Sequence, residues 1–256
     1  MEYWNAAHYL KFVDERTRAA SDLVARIDVD RPRTIVDLGC GPGNSTQILK
    51  LRWPKSEVIG IDNSAEMIEA AKQSFSDQSW KLADIAEWEP ATATDVVYSN
   101  AALQWLPNHT SLIRRLFSFV AREGALAFQI PSSTYATVRT LIHDISCNPA
   151  WTQRMTAPRT ALTIESPSFY YDTLANDASR MDIWETDYNH VMESSDSIVD
   201  WIASTGLRPF LAALDANSER EQFVSELRAR VASSYETRSD GKVLFPFRRT
   251  FVIAYR

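Results

Sequence analysis

Apolar residues fall along this chain in short blocks whose spacing changes character twice. Residues 5–27 carry Tyr9, Phe12, Val13, Ala20, Leu23, Val24 and Ile27 at roughly helical intervals, with Asp14, Glu15, Arg16 and Arg18 between them. Thr34-Ile35-Val36 follows as a short apolar run without alternation, Val58-Ile59-Gly60-Ile61 is another short apolar run, and Trp80-Lys81-Leu82-Ala83, Asp95–Ser99 and Gly124–Ile130 read as further short strands. The texture of Thr34-Ile35-Val36 predicts a strand buried on both faces. Helical stretches lie between them at Gln47–Leu51, after Ser64 (an N-cap candidate), and at Thr110–Val120. Strand alternating with helix predicts a doubly wound α/β sheet.

From Pro131 the rhythm breaks. Residues 131–165 hold Arg139, Arg154, Arg159 and His143 but no clean strand, and 194–238 form a second irregular, helical stretch. A helix near Ser168–Asn176, a strand near Met181–Met192 and a last strand over 242–254 resume the sheet between and after these inserts. The final strand is expected to close antiparallel on its neighbour. One domain over residues 1–256 is expected, with its core at about 30–130, 166–192 and 242–256. The two inserts, at about 131–165 and 194–238, would form a lid, and the helix 5–27 would precede the first strand.

The densest chemical signal is Asp37-Leu38-Gly39-Cys40-Gly41-Pro42-Gly43-Asn44-Ser45-Thr46. Asp37 ends a strand, three glycines make a tight turn, and Asn44, Ser45 and Thr46 offer N-cap chemistry for the helix that follows. Such a turn exposes backbone N–H groups and lets a ligand approach the main chain closely. The second strand ends in Asp62, placed to accept both ribose hydroxyls of an adenosine. Together these features predict a nucleoside-cofactor cradle. The glycine spacing is D-x-G-x-G-x-G rather than the dinucleotide G-x-G-x-x-G, which disfavours a nicotinamide-dependent oxidoreductase.

Composition narrows the classes. The 256 residues are 45% hydrophobic and 23% charged, ordinary for a globular enzyme. A net charge of −6 argues against a nucleic-acid partner, which needs a basic face. No apolar run approaches the ~20 residues of a membrane span. The start, Met1-Glu2-Tyr3-Trp4-Asn5, is neither a basic leader nor an apolar segment, and two cysteines make no disulfide framework. A cytoplasmic protein with no obligate protein partner is expected.

The run Asp37–Thr46, with Asp62, the third-strand end at Asp84-Ile85 and the fourth-strand end at Asn100, resembles the class I S-adenosylmethionine-dependent methyltransferases. The likeness implies a Rossmann-like, seven-stranded, mostly parallel sheet. It extends through Trp4-Asn5, Glu15–Arg18, Arg52-Trp53-Pro54, Leu103–Pro107, Phe169-Tyr170-Tyr171, Asp200-Trp201 and Thr205–Pro209 to the branch that methylates trans-aconitate. It implies S-adenosylmethionine as cofactor and a small tricarboxylate as substrate, esterified at one carboxylate.

On that resemblance the cofactor falls to Asp37, Gly39, Gly41, Asn44, Asp62 and Asn63, with Met67 and Ile85 against the adenine and Asp84 on its amino group. Tyr9 and Arg18 would meet the methionyl carboxylate. Asn100, Gln104 and Trp105 would align the reacting groups, Trp105 offering an aromatic face to the sulfonium. A trianion needs fixed donors, for which Arg16, Arg208, Arg249 and, as an alternative to its cofactor role, Arg18 are candidates, with Gln104, His109, Tyr170, Tyr171 and His190. A carboxylate is already ionised at neutral pH, so neither a general base nor a metal is required. Two rivals stand beside this reading. One is a methyltransferase acting on another small acid, or on a different small-molecule nucleophile with a base such as His109. The other is a nucleoside sensor without catalysis.

Overall fold

The computed structural model describes residues 13–133, 137–203 and 205–256, with side chains from residue 17 onward. The chain runs α1 (Val13–Arg26), β1 (Thr34–Leu38), α2 (Asn44–Arg52), β2 (Glu57–Asp62), α3 (Ala65–Ser74), β3 (Ser79–Leu82) and β4 (Thr94–Asn100). A 3-10 turn at Leu103–Trp105, α4 (His109–Ser118) and β5 (Val120–Pro131) follow. Next come α5 (Thr137–Ser146), α6 (Thr156–Arg159), α7 (Pro167–Leu174), β6 (Arg180–Met192), α8 (Ser195–Ala203), α9 (Arg208–Ala212), α10 (Asn217–Ser234) and β7 (Val243–Tyr255). Tyr9 and the first part of the expected N-terminal helix lie outside the described residues, as does the side chain of Arg16.

The seven strands form one sheet in the order β3-β2-β1-β4-β5-β7-β6. β1 to β5 pair in parallel, and β7 runs antiparallel to β5, with Gln129 opposite Phe251 and Pro131 opposite Arg249. The expected fold class therefore holds. Strand order reverses between β1 and β4, so the loops leaving those two strands flank the crevice where an open sheet of this kind binds its ligand.

Contacts divide the chain into two compact units. The sheet-bearing unit comprises Val13–Ser133, Thr163–Thr186 and Arg249–Arg256. Its core packs Val36, Leu38, Val97, Leu126 and Phe128 of the strands with Ile113, Leu116 and Tyr170 of the helices, all closed to solvent. Each such side chain contributes about 1.5–3 kcal/mol on burial. β1, β4 and the second half of β5 lack alternation because both their faces are covered, whereas β3 stands at the sheet edge and is largely exposed.

The other unit comprises 137–162 and Asp187–Arg248, and so gathers the two inserts. It has its own core, in which Trp151, Phe210 and Phe223 pack with Trp201 and Phe245. The charged run 218–230 lies on α10, whose Phe223, Leu227 and Val231 are buried while Arg228 pairs with Asp196 and Asp200.

Candidate active site at the glycine loop

The loop after β1 is tied down from two sides. Gly39 and Cys40 donate their N–H groups to Ile61 O on β2, at 2.8 and 2.9 Å. Asp62 Oδ2 accepts from Gly41 N at 2.9 Å, and Oδ1 accepts from Ser64 N at 2.8 Å. One carboxylate thereby joins the glycine turn to the start of α3, where Ser64 caps the helix by accepting from Met67 N. Burial pushes the Asp62 pKa up, against the pull of those backbone donors.

Two glycines show what the turn requires. Gly39 has φ +73, and a Cβ there would stand 2.2 Å from Ala102 Cβ, so the loops after β1 and β4 touch through it. Gly41 has φ +56, and a Cβ there meets nothing within 4 Å among the described residues. Ala101, beside Asn100, also takes a left-handed φ of 55°, a strained backbone of the kind held at functional loops.

Asp37 departs from the expected pattern of capping. Helix α2 begins at Asn44 behind Gly43, whose left-handed backbone supplies no side-chain cap. Ser45 and Thr46 instead donate their hydroxyls to Asp37 Oδ2, at 2.6 and 2.7 Å. They hold the acid rather than cap the helix. Asp37 is fully buried, and burial lifts its pKa to about 6 against those two hydrogen bonds, with Asp62 adding repulsion. Its Oδ1 has no hydrogen-bond partner among the described residues. A buried acceptor oxygen left open beside a glycine loop suits a cationic donor such as the ammonium of an amino-acid zwitterion. The residues present therefore fit S-adenosylmethionine. Cys40, also in the loop, is held as a neutral thiol, because burial and both aspartates push its pKa up.

Of the other residues expected to hold cofactor, Met67 and Ile85 are buried, Asn63 and Asp84 exposed, and Asn44 half-buried. Asp84 Oδ1 accepts from Ala86 N at 2.8 Å, which shapes the turn after β3. Ile85 Cδ1 lies 3.5 Å from the Cβ position of Gly39, so it borders the same turn. Arg18 is exposed on α1.

At the end of β4 the expected residues separate. Asn100 is half-buried and Gln104 buried, the latter donating from Nε2 to Ala101 O at 2.7 Å. Trp105 is 41% exposed. His109 and Tyr170, expected as substrate donors, are buried against each other. His109 Nε2 sits 2.9 Å from Leu103 O, and a carbonyl only accepts, so Nε2 carries the proton. Nδ1 then accepts from Tyr170 OH at 2.7 Å. Burial lowers the pKa of His109 and raises that of Tyr170, which keeps both neutral. Each polar atom is spent inside the core, and His109 has no nitrogen to offer as a base. Tyr171, the next residue, is 55% exposed.

Arg249 is buried at the carboxyl end of β5, where Nη1 donates to Gln129 Oε1 at 3.1 Å. Gln129 Nε2 in turn donates to Asn100 Oδ1 at 2.5 Å. Gln129 is absent from the sequence reading, and its one signal there is a polar residue inside the apolar run Ala125–Ile130. In the insert unit, burial pushes the Arg208 pKa down. His190 there packs its ring 4.8 Å from that of Trp201, with Tyr188, Phe245 and Phe247 around it.

The model of the "Methyltransferase domain" family matches residues 9–208. Trans-aconitate 2-methyltransferase of Azoarcus sp. (strain BH72) is 41% identical over 256 residues, covering 100% of both chains. That of Rhodopseudomonas palustris (strain BisA53) is 42% identical over 255 residues, 99% of each. Among solved structures, the YcgJ protein from Bacillus subtilis superposes with a TM-score of 0.61 at 12% identity, over 93% of this chain and 99% of its own. Coclaurine N-methyltransferase, solved with N-methylheliamine and SAH, gives 0.55 at 18% identity, over 93% and 72%. These two likenesses speak for the fold. The match over the full length speaks for the kind of protein: the chain belongs to the methyltransferase family, and within it to the group named trans-aconitate 2-methyltransferase.

Proposed function

We propose that the protein transfers the methyl group of S-adenosylmethionine to one carboxylate of trans-aconitate, giving the monomethyl ester and S-adenosylhomocysteine. The full-length likeness to relatives of that name supports the reaction. One geometric observation carries the acceptor class. A buried arginine, Arg249, stands at the carboxyl edge of the sheet, joined through Gln129 to Asn100 beside the strand-order reversal.

When bound, the cofactor supplies a methyl group already activated on a sulfonium. The protein's work is then to hold and align. Asp37 would take the ammonium on its open oxygen, Asp62 the ribose hydroxyls, and Met67, Asp84 and Ile85 the adenine. Asn44 and Asn63 would frame the same loop, and Arg18 the methionyl carboxylate. Asn100, Gln104 and Trp105 would orient the reacting groups. Arg249, with Arg16, Arg208, Tyr171 and His190, would receive the substrate's carboxylates. The nucleophile is ionised at neutral pH, so alignment and exclusion of water suffice and no proton need be removed. Neither nucleic acid nor a membrane enters the reaction, and no described helix is long and apolar enough to cross a bilayer. A cytoplasmic setting suits two free cysteines.

Transfer of labelled methyl from S-adenosylmethionine to a panel of di- and tricarboxylic acids tests the proposal, with base-lability of the product as readout. A base-labile product formed preferentially from trans-aconitate is expected. Preferential transfer to another acid, or a base-stable product, would overturn the substrate assignment.

A further inference from the structure

We infer that Gln129 is a positioning residue that fixes the donor polarity and spacing of Asn100 and Arg249. The inference rests on the acceptor reading above and adds to it a residue and a direction.

Gln129 is 1% exposed and lies on β5 between β4 and β7. It shares a rung with Asn100 on one side and with Phe251 on the other, and Arg249 stands opposite Pro131, two residues along. Side chains two apart on a strand share a face. The register therefore brings Asn100, Gln129 and Arg249 to one face of three adjacent strands. The main chain reinforces the junction, because Ala101 N donates to Gln129 O at 3.0 Å.

The sense of the relay follows from chemistry. A guanidinium only donates, so the atom of Gln129 that faces Arg249 Nη1 must be its oxygen. The amide nitrogen of Gln129 then faces Asn100, whose oxygen must accept it. That leaves the Asn100 Nδ2 group turned away from Gln129. Donor character set by Arg249 is thus passed across β5 to Asn100, and both ends of the relay present N–H groups. A wall of donors is complementary to carboxylate and to other acceptor-only ligands. It also explains a buried glutamine among apolar neighbours, since both halves of its amide are paired.

Glutamine to methionine keeps length and volume but removes the relay, and glutamine to glutamate keeps the bond to Arg249 but cannot donate to Asn100. Wild-type transfer to trans-aconitate is measured first, and its absence would refute the acceptor reading rather than the relay. With that activity present, Gln129→Met is expected to raise the KM for trans-aconitate at least tenfold. The affinity for S-adenosylhomocysteine should change less than threefold. Adding Gln129→Met to Arg249→Lys should cost less than it does alone. Gln129→Glu should also raise KM, because it turns Asn100 to show its oxygen. An unchanged KM in both variants overturns the inference. So does a fall in cofactor affinity and thermal midpoint that matches the loss of acceptor binding, which marks a purely structural glutamine.

The relay is also read without substrate. The side-chain amide resonances of Asn100, identified by their loss in Asn100→Asp, should shift in Arg249→Lys through the intervening glutamine. No shift there would overturn the relay whatever the enzyme methylates.

Discussion

Asp37 gives the sharpest test of the cradle, because its burial makes two measurements move in opposite directions with pH. Its pKa rises from 3.8 in an open chain to about 6 in the fold, chiefly by burial. At about 1.36 kcal/mol per unit, the ionised form costs the folded protein about 3 kcal/mol. The folded pKa lies above the unfolded one, so the native state binds the proton more tightly. Stability from this group is therefore greatest below pH 4, falls between pH 4 and 6, and levels off above. Cofactor affinity should run the other way, because the open Oδ1 attracts an ammonium best when ionised. Binding should weaken up to about tenfold per unit below pH 6.

Asp37→Asn removes the titration while leaving an oxygen for Ser45 and Thr46. Its NH₂ group would fall where Oδ1 has no partner among the described residues, at a cost of about 1–3 kcal/mol. Urea unfolding of both proteins from pH 4 to 8 gives a difference curve in which other carboxylates cancel. Over that window the curve should fall by about 2.4 kcal/mol and flatten above pH 6. Calorimetry with S-adenosylhomocysteine should show wild-type affinity rising to pH 6 and a weaker, pH-independent variant. A flat difference curve would refute the burial argument, and wild-type affinity in Asp37→Asn would refute the ammonium contact.

Much of the architecture was legible because burial on both faces leaves its mark on each strand alone. Thr34–Val36, Val58–Ile61 and Gly124–Ile130 needed no partner to be recognised as apolar runs. The glycine loop was legible for a similar reason: it is one contiguous stretch with unusual backbone demands. What stayed hidden was pairing across distance. Ser45 and Thr46 have the letters of a cap, yet the left-handed Gly43 moves the helix start and frees their hydroxyls for Asp37. His109 and Tyr170 look like exposed donors until the packing of α4 and α7 brings them together across 61 residues of sequence. Gln129 has significance only once the register is known, since its partners lie on β4 and β7. Local pattern reports what a residue's own element requires. The relay and the neutral histidine pair are properties of the assembled sheet and its covering helices.

Two further perturbations separate the cradle's own demands from those of the core beneath it. Gly39→Ala places a methyl 2.2 Å from Ala102 Cβ in a left-handed backbone, so it should cost more than about 3 kcal/mol in urea unfolding. Gly41→Ala meets nothing among the described residues and should cost only about 1–2 kcal/mol of strain, yet should weaken S-adenosylhomocysteine by tenfold or more by covering the glycine's bare face. Equal stability losses in the two would refute the assignment of Gly39 to close packing. Tyr170→Phe deletes the hydroxyl that satisfies His109 Nδ1 and leaves a buried nitrogen unpaired, at a cost of about 1–3 kcal/mol. In a chain of this size that lowers Tm by roughly 2–4 °C per kcal/mol. Because the pair is sealed in the core, cofactor affinity and the KM for trans-aconitate should both stay within about twofold, a margin of roughly 0.4 kcal/mol. A raised KM at unchanged Tm would mean that Tyr170 turns outward to meet the substrate, and that the neutral pair is not what holds α4 and α7 together.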